Sequence, residues 1–288
     1  MKKLNLSILL WAVTLMCIHA QSFSDEKSFT FDVSQINLLR LHNKDGQIKV
    51  TGTTGNRATL KVKRTIKSAS TQKLEAAKTA IFLDSVNLEG ELMFYVQHPD
   101  YKLEINEEGR AQYTSIFQGN WGSQKHVFHK AKVIFTIELA IPKQTPLYIS
   151  THREKLTVQN MNADVLAQNH HGSIYLDKIG GNVQAHTHHG HIEVSLTKAP
   201  TRDADFDTHH GNISLTFPSN LSADVALKTR HGQFFTDFDY QSVAMPVSLK
   251  ASNKGTKYKI DSGTRISIGS GGPKLNFETY HGSIYLLK

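Results

Sequence analysis

The feature that most constrains this chain is a short unit that returns at a nearly fixed interval. Its fullest form reads Thr187-His188-His189-Gly190-His191-Ile192-Glu193-Val194. Near-copies read Asn169-His170-His171-Gly172-Ser173-Ile174, Thr208-His209-His210-Gly211-Asn212-Ile213, Thr229-Arg230-His231-Gly232-Gln233-Phe234 and Thr279-Tyr280-His281-Gly282-Ser283-Ile284. A degenerate copy, Thr151-His152-Arg153-Glu154-Lys155-Leu156, precedes them, and Asp45-Gly46-Gln47-Ile48-Lys49-Val50 is a distant first one. From Gly172 the glycines advance by 18, 21 and 21 residues to Gly232. A unit of this size cannot bury its apolar face alone, so copies must stack on one another.

The register of the copies fixes their internal shape. Two residues before the Thr or Asn stand Ala167, Ala185, Phe206, Leu227 and Phe277; four before it stand Val165, Val183, Ala204, Val225 and Leu275. The residues between them are mostly polar, which is the period-two pattern of a half-buried strand. After the glycine, Ile174/Leu176, Ile192/Val194, Ile213/Leu215 and Ile284/Leu286 form the next inward pairs, with Phe234/Thr236 in the same places. The two runs are out of phase by one residue, and the glycine is where a corner absorbs it. Each repeat is therefore strand, corner, strand and loop. The expected fold is all-β: a parallel, single-stranded β-helix or solenoid with coils of 18–21 residues.

The rest of the chain is less regular. Lys2 and Lys3 followed by the apolar run Leu6 to Cys17, with Ala20 before Gln21, read as a signal peptide over residues 1–20. The run is too short to span a bilayer, and no later stretch is apolar enough to do so. A lipoprotein reading of Cys17 is weaker, because Thr14-Leu15-Met16 lacks small residues. One domain is expected over 21–288. It comprises N-terminal strands and a helix over 21–98, an insertion at 99–131, regular repeats at 132–240 and closing repeats at 241–288. The helix is placed at Ser70 to Val86, capped by Ser70 or Thr71. Tyr101, Tyr113, Phe117, Trp121 and Phe128 mark the insertion as a packed loop or hairpin rather than a linker.

Composition removes several functions. Cys17 is the only cysteine, so the exported chain has neither disulfides nor a thiol nucleophile. The net charge is +8, and losing Lys2 and Lys3 with residues 1–20 leaves +6. That modest excess suits acidic glycans or lipid headgroups, and it equally serves solubility. No basic cluster interleaved with aromatics stands out, which argues against nucleic acid. No serine-hydrolase elbow, zinc-protease helix or phosphate loop is present.

The histidines and acids then need roles. Parity places the second histidine of each pair, His171, His189, His210, His231 and His281, in the inward phase as a stacked ladder at the corner. The first column, His170, His188, His209, Arg230 and Tyr280, points outward, as does His186. Adjacent coils lie about 4.8 Å apart, so His170, His186, His188 and His209 are the candidate ligands for a divalent metal. The simpler reading of that column is a solvated face. Asp203, Asp205 and Asp207 alternate and share an outward face, which offers either plain surface charge or carboxylates for glycoside hydrolysis. No catalytic residue and no organic cofactor is assigned.

Two stretches carry a family resemblance. Ile137-Glu138-Leu139-Ala140-Ile141-Pro142-Lys143 followed by serial Thr-x-x-Gly-x-Ile-x-Leu units is one. The ending Gly271-Gly272-Pro273-Lys274-Leu275 through Tyr280-His281-Gly282-Ser283-Ile284-Tyr285-Leu286 is the other. Both are similar to the adhesin-like β-repeat proteins of the DUF4097 type, with Glu154 departing from the usual glycine. The resemblance implies a β-helix exported to the periplasm, the cell surface or the medium, with no catalytic residues to transfer. The expected function is non-enzymatic binding or scaffolding, with cell-surface or extracellular glycans or envelope proteins as partners. Two alternatives stand beside it: a carbohydrate-active β-helix enzyme acting on acidic glycans, and a His-rich metal-binding envelope protein.

Overall fold

The structure, a computed structural model, describes residues 21–106, 110–116, 131–244, 247–250, 257–260 and 263–288. The expected signal peptide, and Phe117, Trp121 and Phe128 of the insertion, lie outside them.

Each repeat folds as its pattern predicts: a strand ending in the His pair, a corner, and a second strand. In the Gly172 repeat these are Val165–His171 and Ile174–Ile179; in the Gly190 repeat, Val183–His189 and Ile192–Leu196. Successive repeats pair in parallel with identical positions opposed, as with Val165↔Val183, Ala167↔Ala185 and Ile174↔Ile192. First strands thus build one sheet, second strands another, and their inner faces share one apolar core. The distant Gly46 copy joins in register, with Ile48 and Val50 opposite Leu156 and Val158.

Two buried devices make the stack regular. The residue before each His pair donates its side chain to the corner carbonyl of the repeat below it. Thr151 bonds Gly46 O at 3.0 Å, Asn169 bonds Glu154 O at 2.7 Å and Thr187 bonds Gly172 O at 3.0 Å. Thr208, Thr279 and Thr229 repeat this on Gly190, Gly211 and Gly282 at 3.0, 3.0 and 2.9 Å. Each step thus supplies a side-chain donor to a corner carbonyl, and Gly46 O receives a second from Asn43 Nδ2 at 3.1 Å. The corner glycine is required by the same approach. A Cβ on Gly211 would sit 2.0 Å from Gly190 O, and one on Gly282 1.9 Å from Gly211 O. Glu154, the expected weak corner, holds the turn with a left-handed φ of 72°.

The expected uniform parallel solenoid needs correction. The chain is mostly β, but its two large sheets, of ten and eleven strands, are mixed. At the N-terminal end, Ala131–Pro142 pairs in parallel with Ile48–Thr53 and antiparallel with Arg57–Ser68, which in turn pairs antiparallel with Gln21–Asp32. At the far end, Thr264–Ile268 runs antiparallel to Ala223–His231. The repeats also do not stack in chain order. The last copy, Lys274–His281 with Ile284–Leu287, lies between the Gly211 and Gly232 repeats and pairs in parallel with both. Its Phe277 stacks on Phe206 with centroids 5.1 Å apart, a match that Leu227 of the Gly232 repeat cannot offer.

The helix is shorter than expected, Thr71–Ala80, with Ser70 Oγ accepting from Lys73 N at its start. It stops because Phe82–Leu88 pairs antiparallel with Glu91–Gln97 through the two-residue turn Glu89-Gly90, both at positive φ. The helix packs on the wrapped N-terminal strands through Leu74 and Ala77. Within the insertion, Tyr101–Ile105 and Ala111–Ser115 form an antiparallel hairpin. Its Tyr113 hydroxyl donates to His42 O and accepts from Val96 N.

Candidate functional site

The His pairs emerge at one corner of the stack, one repeat above another. The second histidine was expected to point inward; it does not. Position zero, the Thr or Asn, is the last buried residue in every copy but the Gly232 one, where Thr229 is half-buried, and the side chains beyond it are exposed or half-buried. Alternation holds only while the chain lies in the sheet, and the chain leaves the sheet at the corner.

Two face-to-face columns result. The first runs His152, His170, His188, His209, Tyr280, with centroid separations of 4.8, 5.1, 4.9 and 4.8 Å and planes within 9°. Arg230 closes it with its guanidinium 5.2 Å from the Tyr280 centroid. The second runs His171, His189, His210, His281, His231 at 5.0, 4.7, 5.0 and 4.7 Å. Because the Gly282 repeat is inserted, His281 precedes His231 in space. Within one repeat the two rings meet edge to face: His170 and His171 at 4.2 Å, His188 and His189 at 4.3 Å. At the N-terminal end the columns give way to charge, with Lys44 pairing Asp45 at 2.9 Å and Arg153 lying 3.7 Å from Asp45.

Stacking makes protonation unfavourable. Burial and then the neighbouring His170 hold His152 well below the ordinary imidazole range, at about 4. His170, His188, His210 and His281 are lowered in the same direction, by desolvation first and adjacent imidazoles second. These five imidazoles accordingly favour the neutral form near pH 7 and present lone pairs.

The four sequence-derived metal candidates do not meet at one point. His170, His188 and His209 share a column, so their lone pairs lie in parallel planes about a strand spacing apart. His186 lies apart from them, buried, with Nδ1 against the Asp207 carboxylate of the next repeat. Ligand atoms do converge across the columns. His152, His170 and His171 each offer one within 4.8 Å of the others. His152 and His171 were missed as ligands because one lay in a degenerate copy and the other was placed inside. Their signal was present in the 18-residue offset between His152 and His170.

Beside the first column, the outer face of the sheet holds an open groove of about 1440 Å³. Arg110, Gln184, Asp205, Lys228, Arg265 and Glu278 are among the residues that line it. The three alternating acids are each engaged. Asp203 accepts from Lys274 N at 2.8 Å, Asp205 accepts from Asn276 Nδ2 at 2.8 Å, and Asp207 faces His186 with Arg110 at 3.8 Å. Lys228 likewise pairs Glu278 across the adjacent strands.

No family model matches the chain, and no curated protein does. Two solved structures are similar in outline. A proposed cell adhesion protein from Clostridium sporogenes ATCC 15579 aligns at 9% identity and TM-score 0.39, covering 92% of this chain and 99% of that one. A proposed adhesin from Bacteroides fragilis NCTC 9343 aligns at 11% identity and TM-score 0.31, covering 91% and 97%. Among the described residues, no helix is long and apolar enough to cross a membrane.

Proposed function

We propose that this is an exported, non-enzymatic binding protein of the adhesin-like kind, working at the cell surface, in the periplasm or in the medium. In this reading the in-register parallel repeats form a β-solenoid, flanked at its N-terminal end by antiparallel strands. The ligand is an extended acidic glycan lying in the groove, with envelope proteins as the competing partner class. The observation that carries this is the groove itself. It is open, it mixes polar and apolar lining, and Arg230 and Arg265 line it while Asp207 and Glu278 are offset by Arg110 and Lys228. An elongated polyanion fits such a surface better than a small substrate, which needs a closed pocket. Absence of catalysis is supported by Asp203, Asp205 and Asp207, each of which already holds a structural partner in the stack.

Co-sedimentation with a panel of acidic and neutral polysaccharides tests the reading. Retention by uronic-acid polymers is expected, weakened roughly tenfold in the Arg230→Glu/Arg265→Glu double variant and reduced by salt. Equal retention of neutral polymers would count against the groove. Polysaccharide cleavage that disappears in Asp205→Ala would replace this reading with the enzymatic one.

A further inference from the structure

We propose that His152, His170 and His171 form a three-imidazole site for a borderline-soft divalent cation, with zinc as its first occupant. An imidazole lone pair lies in the ring plane, so a face-to-face pair such as His152 and His170 can share an ion only at its edge, and a crosswise third ring must complete the set. Convergence needs rings from both columns. His170 and His171 stand at 75° to each other, and His152 meets His171 at 81° across the repeat boundary. These three offer ligand atoms within 4.8 Å of one another, the one such group among the described His, Cys, Asp and Glu residues.

The end of the ladder explains why convergence falls there. The second column lacks a ring at position 153, where Arg153 stands, so His152 is flanked in that column by His171 alone. A tetrahedral zinc with bonds near 2.1 Å needs ligand nitrogens about 3.4 Å apart. Rotation of His170 and His171 closes the gap, and both rings are exposed, so the turn exchanges stacking contacts with His188 and His189 for bonds to the ion. Three imidazole ligands with an open fourth position suit zinc, copper or nickel rather than calcium or magnesium. Asp45 near His152 is already paired with Lys44 at 2.9 Å and lies 3.7 Å from Arg153, so the imidazoles themselves must supply the affinity.

This site is independent of the glycan groove, which His152 and His171 do not line. The test is a zinc titration by calorimetry on the full chain purified without a polyhistidine tag, supported by the visible spectrum of the cobalt-loaded protein. One ion per chain and a tetrahedral cobalt spectrum are expected. His152→Gln and His171→Gln should each lower affinity by about tenfold or more, while His281→Gln, near the other end of the ladder, leaves it within about twofold. The substituted side chains are exposed or half-buried, and metal-free thermal unfolding confirms that each variant is folded. No binding, several ions per chain, or an equal loss in His281→Gln would overturn the proposal.

Discussion

The regular stack and the wrapped N-terminal region solve the same problem in different ways. In the stack, one set of contacts is used again at every step: an inward pair on each strand, a Thr or Asn on the carbonyl below, and a glycine where two corners touch. In the N-terminal region each contact occurs once. Arg64 is its clearest case, donating to Lys78 O and Ile81 O at the helix end while pairing Asp25 at 2.7 Å. His42 is another: fully buried, bonded through Nδ1 to Ser150 Oγ at 2.8 Å, and edge-on to Tyr148. Repetition spreads stability over equal parts, whereas single-use contacts concentrate it. Damage should therefore depend on the corner geometry in the stack, and on individual buried groups in the wrap.

The largest effect is expected from Gly211→Ala. Its Cβ would meet backbone of the neighbouring repeat at 2.0 Å, and φ is 157°, so neither rotation nor a flexible partner relieves the clash. A loss of about 3–5 kcal/mol is expected in urea unfolding. Gly55→Ala is the control from the irregular region: its φ is also positive, at 94°, but nothing lies within 4 Å. Strain alone should then cost about 1–2 kcal/mol. Equal losses at the two sites would mean that close approach between repeats does not govern the stack.

Acid should strike the wrap next. Burial pushes His42 down to about 3, and burial first, then Lys44, lowers His98 to about 4. The unfolded chain takes up these protons near the ordinary imidazole pKa of about 6.5, whereas the folded chain resists until far lower. Stability is therefore complete above that value and falls as pH drops toward 3. His42 alone contributes a slope of about 1.4 kcal/mol per pH unit, or about 2 kcal/mol by pH 5. Urea unfolding at pH 7, 6 and 5 measures it, and His42→Asn should flatten the dependence. An unchanged slope in that variant would assign acid sensitivity to His98 or to His152 of the ladder instead.

How much of this was legible depends on repetition too. Val165, Ala167 and Ile174 declare their faces because four other copies say the same thing, and the corner glycines followed from the phase slip. The order of the repeats was not legible. Nothing local in Lys274–Leu287 tells it to enter between the Gly211 and Gly232 repeats, since the choice rests on Phe277 meeting Phe206 across 71 residues of chain. The exposure of His171, His189 and His210 was misjudged because a strand rule was carried past the end of the strand. The convergence of His152 with His170 and His171 needed the ring planes, which no spacing reports. The helix end at Ala80 was hidden for a related reason: Phe82–Leu88 reads as a continuing apolar pattern until its hairpin partner is known.

The smallest expected effect best separates the two ladders at one corner. Thr208→Val keeps the shape of a buried residue and removes only the bond from its hydroxyl to Gly190 O. The carbonyl is then left buried without that donor, at a cost of about 1–2 kcal/mol. His210→Gln, two residues on, removes an outer ring whose neighbours already stand in water, and should cost less than Thr208→Val. If the order is reversed, the imidazole columns hold the repeats together and the hydroxyl column is incidental. If it holds, the outer ladder is not required for folding, and its rings are available for ligands because the inner ladder supports the corner without them.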